Sequence, residues 1–279
     1  RKCYEWWHMA KTLQFEYHVL ELIKSDAHLL EQFTRELTQE QPDMDKLEIL
    51  VQEASTKQDT VARRKVLHAI ENQLPSIAEV LREVAVQNTI DAYTDLTTLL
   101  TRRGEQVEYP LKISVDFTEK RKDAYDLAVS DHAIGMNLHD VLCRLLAVGD
   151  TTKTEKTSQV GGHGRGFKPS IAHASSVVIE SFGRKTRVRR EEGAPQKYFV
   201  QIGEESDVQN GTKITLENVS FPGNPQQAVQ QYAAKLTDEF EFRVNGIKIN
   251  RGIDPLKLGK LPYGETHLLP GVNMSLEDT

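Results

Sequence analysis

The stretch Gly161-Gly162-His163-Gly164-Arg165-Gly166-Phe167-Lys168-Pro169 places four glycines within six residues, directly before a helix-like segment, Ser170 to Ala174. Glycine lacks a Cβ, so the N–H groups of such a stretch can close around an anion, and a helix N-terminus behind them adds attraction. Pro169 suits a first helical turn, where its missing N–H would have no helical acceptor anyway. The stretch reads as a phosphate cradle, which demands a loop ending on a helix at a ligand site. Taken alone, a glycine-rich surface turn is an equal reading. One familiar loop is excluded and a second is disfavoured. No G-x-x-x-x-G-K-[ST] is present, and the polar residues Thr154 to Gln159 before the glycines are not the apolar strand that a dinucleotide fingerprint follows.

The rest of the chain supplies alternating helical and strand periods. Over residues 1 to about 75 the reading is helical: Phe15, Val19, Leu22, Leu29, Phe33 and Leu37 recur near helical spacing, and Gln41-Pro42-Asp43 interrupts them. A second helix is expected to open at Asp45 with Glu48 as its capping box, and a third to run from Val61 to Leu74. Ser76 can cap a long helix to about Leu100, whose interior carries Glu83, Asn88, Asp91 and Ala92. From Tyr109 the period becomes two: Leu111, Ile113, Val115 and Phe117 mark a strand, and Tyr125 to Val129 returns as its hairpin partner. That strand runs into Asp131-His132-Ala133-Ile134-Gly135-Met136, an acid followed by a small-residue turn, and then an amphipathic helix, Asn137 to Val148. Gly149 to Val160 is polar and aperiodic. Strands follow at Ser176–Phe182, Thr186–Arg190, Tyr198–Ile202 and Lys213–Leu216, then a helix around Val229 to Leu236 and a strand from Glu241 to Ile249. The basic run Arg184, Lys185, Arg187, Arg189 and Arg190 reads first as a solvated edge strand.

Composition narrows the class without naming a function. The 279 residues can bury a sizeable core, and a net charge of -6 gives no general pull towards nucleic acid. Two cysteines, Cys3 and Cys143, form no metal-ligand or C-x-x-C pattern, which suits a reducing compartment. No run of 18 apolar residues suggests a membrane span. A cytoplasmic protein is expected, and the first residue, Arg1 rather than Met, suggests a piece of something longer.

Four pieces in this order resemble the GHKL ATPase superfamily of type II topoisomerases, ninety-kilodalton heat-shock chaperones, histidine kinases and mismatch-repair ATPases. Its helix motif N-x-x-D-A stands as Asn88-Thr89-Ile90-Asp91-Ala92, and its D-x-G-x-G-M box as Asp131 to Met136. Its G-x-x-G-x-G-F box is Gly161 to Phe167, and the Gly-Thr of its last strand is Gly211-Thr212. The resemblance covers about residues 76–250, leaving 1–75 as a helical N-terminal segment and 251–279 as an irregular tail or the start of another domain. It implies an α/β sandwich: a mixed, mainly antiparallel sheet with helices on one face and ATP held between them.

By the same resemblance, Asp131 accepts from the adenine amino group with Thr212 in support, and Met136 and Ala92 pack on the purine beside Gly135 and Asp91. Asn88 is the ligand to Mg²⁺. Gly161, Gly164, Gly166 and Phe167 serve the phosphates, with Arg165 and Lys168 as candidates for the terminal one, and Gly149–Val160 becomes a lid. Two departures stand out. Ala133 replaces the middle glycine of the first box. The general-base Glu, placed four residues before the Asn in hydrolysing members, is here Val84, and the nearest acid, Glu83, is five before. On a regular helix Glu83 would point about a quarter-turn away; a one-residue bulge would restore it. The expected function is ATP binding with slow Mg²⁺-dependent hydrolysis, as a chaperone-like or topoisomerase-like conformational switch that pairs with a second copy or a partner through the helical segment. Histidine-kinase phosphotransfer and a non-hydrolysing interaction module are the alternatives.

Overall fold

The structure, a computed structural model, describes residues 11–57, 60–71, 76–148, 167–221, 223–234, 236, 238–250, 268–269 and 272–273. The first part of the chain forms β1 (Leu13–Glu16), α1 (Val19–Ser25), α2 (Ala27–Leu37), α3 (Met44–Ser55), α4 (Thr60–Glu71) and α5 (Ile77–Arg82). A π-helical turn, Glu83–Gln87, joins α5 to α6 (Asn88–Arg103). Then come β2 (Leu111–Arg121), β3 (Ala124–Asp131), a π-helical segment at Asp140–Leu146, α7 (Lys168–His173), β4 (Ser176–Ser181), β5 (Arg184–Glu191), β6 (Ala194–Glu205) and β7 (Thr212–Ser220). The last elements are α8 (Pro225–Ala233), β8 (Phe240–Val244), β9 (Ile247–Lys248) and the short hairpin β10 (Leu268–Leu269) and β11 (Val272–Asn273).

Among the described residues, nine strands form one sheet in the order β1-β6-β5-β4-β7-β3-β2-β8-β9. Only β2 and β8 pair in parallel; the other pairings in this sheet are antiparallel. The expected mixed, mainly antiparallel sheet is therefore present. Its inner face is built in register. Phe242, Ile113 and Asp131 are neighbours across β8, β2 and β3, and Thr212 and Ser181 continue the same row on β7 and β4. The next row reads Val244, Val115, Val129, Ile214, Ile179 and Thr186. These side chains are buried, while alternating residues such as Lys112, Asp116 and Arg243 are exposed. The helices thus cover the face that the strand period makes apolar.

The first quarter departs from its helical reading at β1. Leu13 and Phe15 are buried opposite Ile202 and Val200, so the residues preceding the helix extend the sheet. Asp26, in extended conformation, separates α1 from α2 and caps α2 by accepting from the N–H groups of His28 and Leu29. α3 is capped by Asp43 rather than opened at Asp45; Asp45 and Glu48 instead bind Lys11. Buried Leu29, Phe33, Leu47 and Val66 belong to the same apolar cluster as Ile113, Val129 and Leu216, so the core runs across residue 75. α4 ends at Glu71, and residues 72–74 of its expected length lie outside the described ones.

Other differences are local. β5, β6 and β7 are longer than their expected ranges, because ladder bonding carries polar residues along, whereas β4 ends at Ser181, one residue before Phe182. β8 and β9 replace one expected strand, since Asn245 and Gly246 both take left-handed φ, 47° and 77°, and turn the chain. The basic strand β5 is internal, between β6 and β4. Its cations are engaged within the chain: Arg187 with Glu217, Arg190 with Tyr198, Arg189 with Gln14, and Lys185 facing Glu180 and Glu204.

Candidate functional site

The site is assembled where the inner row of the sheet turns polar. Asp131, Thr212 and Ser181 stand side by side at the ends of β3, β7 and β4, and all three are buried. The Asp131 Oδ1 accepts from the N–H groups of Ala133 at 2.9 Å and Thr212 at 3.2 Å. Among the described residues both of its hydrogen bonds fall on Oδ1, so Oδ2 is the acceptor available to a ligand. Burial raises the Asp131 pKa to about 6, against the lowering effect of those two N–H donors. An acid held this way is poised to accept a hydrogen bond from a neutral donor group.

Ser181 ties the strands to the turn. Its Oγ accepts from the Met136 N–H at 2.9 Å and donates to the Gly211 carbonyl at 2.6 Å. Gly211 is required where it stands: at φ 71° a Cβ would lie 2.1 Å from the Asp131 carbonyl oxygen. Gly135, at φ 73°, is similarly enclosed. Ala133 is buried and not among the residues of positive φ, so that position tolerates its Cβ. Ser181 was not foreseen from the sequence. Its role depends on a register formed by three separate strands, and a serine at a strand end carries no signal of its own.

The motif helix reaches the same end of the sheet through Tyr93. Its hydroxyl accepts from the His132 N–H at 3.1 Å and donates to the Lys112 carbonyl at 2.5 Å, and its ring meets Phe240 edge-on at 6.0 Å. Asn88, Asp91 and Ala92 lie on the helical turns just before Tyr93. Asp91 is buried; Asn88, Ala92, Gly135 and Met136 are half-buried.

The helix that carries Glu83 is not regular. Ser76 opens α5 with a capping box to Glu79, and the chain then widens into the π-helical turn Glu83–Gln87 before α6 begins at Asn88. The Asn88 N–H donates to the Glu83 carbonyl, so five residues occupy one turn and Glu83 stacks on Asn88 as a residue four before it would in an α-helix. Val84 is fully buried in the core, and the helix around it is π-wound rather than regular. The Thr89 hydroxyl donates to the carbonyls of Val86 at 2.8 Å and Ala85 at 3.1 Å, satisfying groups within the wide turn. Glu83 itself is half-buried.

No protein-family model matches the chain, and no curated protein matches it.

Phe167 and Lys168 are buried at the start of α7, with Pro169 in its first turn. Gly161, Gly164, Arg165 and Gly166, together with the expected lid Gly149–Val160, lie outside the described residues. The backbone leading to that segment is gripped from the first quarter of the chain: Tyr17 donates to the Leu146 carbonyl, Lys24 to the Val148 carbonyl at 2.9 Å, and Glu21 accepts from the Val148 N–H at 2.8 Å. A groove of about 440 Å³ lies elsewhere, between β1 and α3, where Glu16, Glu48 and Arg63 line it. None of the expected site residues lines it, so the polar end of the inner row, rather than this groove, marks the candidate site.

Proposed function

We propose that the chain is a GHKL-type domain that binds ATP with Mg²⁺ and hydrolyses it slowly, as a conformational switch in a larger protein. The buried Asp131 carboxylate carries this reading: one oxygen is fixed by two backbone N–H groups and the other is offered at the end of the inner row. Adenine presents an amino donor to such an acceptor. Guanine would present a carbonyl and leave two acceptors facing each other, which costs the desolvation of both. Met136 and Ala92, both half-buried, would supply apolar surface for a purine.

The donor set suits Mg²⁺. Asn88 offers one hard amide oxygen, and Mg²⁺ ordinarily takes one or two protein oxygens and completes its shell with phosphate and water. Among the described residues no group of three or more His, Cys, Asp or Glu could hold a metal alone, so the nucleotide's phosphates would supply the remaining ligands. The nucleotide supplies the phosphoanhydride bond that water splits. Glu83, restored to the Asn88 side of the helix by the π-turn, takes the proton from that water. This arrangement favours hydrolysis over attack by a histidine, which needs no such acid. Lys168, at the head of α7, neutralises developing phosphate charge.

Titration with ATP, ADP and GTP, with and without Mg²⁺, tests the reading. Adenine nucleotides should bind and GTP should not, with Mg²⁺ strengthening ATP. Binding of no nucleotide, or equal binding of GTP, refutes it.

A further inference from the structure

β4 and β5 are joined by a two-residue turn, Phe182-Gly183, with both residues left-handed at φ 48° and 70°. Ser181 and Arg184 pair across it. Turns of this hand favour Asn, Asp or Gly at their first position, because a larger side chain there crowds the following carbonyl. Phenylalanine is a strained choice. Burial does not explain it either, since Phe182 is 46% exposed.

The ring is, however, placed against the base-binding turn. A Cβ built on Gly135 would lie 2.8 Å from Phe182 Cζ, 3.1 Å from Ser181 Oγ and 3.1 Å from the Gly211 carbonyl. The Phe182 ring and the polar end of the inner row thus both close on Gly135 from the side where a Cβ would stand. The next residue, Met136, is held by Ser181, the neighbour of Phe182. Strain tolerated beside a site, by an aromatic ring that gains little from burial, points to a role in the site.

We infer that Phe182 is a positioning residue: its ring holds the Gly135–Met136 backbone so that the turn from Asp131 to Met136 is pre-set to receive the base. The inference rests on the nucleotide reading above. It also makes the strained turn a place where folding stability has been given up for ligand affinity. The ring itself need not touch the nucleotide.

The test is Phe182→Asn, which suits the left-handed position but removes the ring. Its melting temperature should match or exceed that of the parent. Its affinity for ATP with Mg²⁺ should fall roughly two- to tenfold, the scale of one aromatic contact at tenfold per 1.4 kcal/mol. The Met136 amide should exchange with solvent faster in the variant despite the retained stability, and Phe182→Tyr should restore both affinity and protection. A lower melting temperature alongside the weaker binding would make Phe182 a stabilising residue only and overturn the inference. Equal ATP affinity in parent and Phe182→Asn would overturn it while leaving the nucleotide reading intact. Failure of the parent to bind ATP overturns both.

Discussion

Replacing Glu83 by Gln should abolish hydrolysis without loosening nucleotide binding. On a regular α-helix, at about 100° per residue, an acid five positions before Asn88 sits about 100° around the axis from one placed four before it. The π-turn removes that offset by fitting Glu83 to Gln87 into one wide turn closed by the Asn88 N–H and the Glu83 carbonyl. Glutamine keeps the size and hydrogen bonding of the side chain but cannot take a proton from water. Loss of a general base is worth ~10²–10⁴ in rate, or roughly 3–5 kcal/mol of barrier at 1.36 kcal/mol per tenfold. Steady-state phosphate release at saturating ATP and Mg²⁺ measures it. Dissociation constants should stay within about twofold, because the interaction lost belongs to the transition state. A companion variant deletes Val86. Removing one residue from the wide turn restores a spacing of four between acid and amide on a plain α-helix, so hydrolysis should survive at a measurable rate. An unchanged rate in Glu83→Gln would eliminate Glu83 as the base. A folded, ATP-binding Val86 deletion with no activity would show that the spacing argument is mistaken.

Asp131→Asn should weaken adenine nucleotide binding by ~1.5–3 kcal/mol, the scale of a hydrogen bond to a charged group, as read by calorimetric titration. The raised pKa of Asp131, about 6 against 3.8 in the unfolded chain, has a definite sign. The folded state holds that proton more tightly, so this group's contribution to stability is greatest below pH 3.8, declines as pH rises to about 6 and is flat above, a total on the order of 3 kcal/mol. Urea unfolding of parent and Asp131→Asn across that window should reveal the contribution as a difference in slope, and parallel curves would count against it. Adenosine, whose sugar carries no phosphate to titrate, should bind the parent more tightly as pH rises through about 6, with the dependence lost in Asp131→Asn. Asn88→Ala should erase the gain in ATP affinity from Mg²⁺ while metal-free ADP binding persists; an equal gain in both proteins would make Asn88 a structural residue. Ser76→Ala, which removes the cap of α5, should lower stability by about 1 kcal/mol in denaturant unfolding.

What the sequence disclosed and what it withheld follow from the range of the interactions involved. The alternation of Leu111, Ile113 and Val115, the cap at Ser76 and the acid closing β3 are signals carried by a few adjacent residues, and they were readable at once. β1 was misread because four residues hold barely two periods, and Phe15 also fits a helical spacing to Val19. Arg184 to Arg190 looked like an edge because charge is visible locally, whereas the partners that neutralise it come from β1, β4, β6 and β7. Ser181 and Phe182 were invisible for the same reason: their importance lies in a row of neighbours contributed by separate strands. The π-turn is the intermediate case. The sequence displayed the misfit, an acid one place too early, and the nearness of Glu83 inclined the reading to a bulge, but the spacing alone does not state how a helix will absorb an extra residue. Val84, Ala85 and Val86 are all buried, so the wide turn inserts apolar bulk into the core while keeping Glu83 on the Asn88 side. The Thr89 hydroxyl reaches back to the carbonyls of the turn, but Thr94, Thr98 and Thr101 make the same kind of bond on the regular part of α6, so no threonine marks the wide turn in advance.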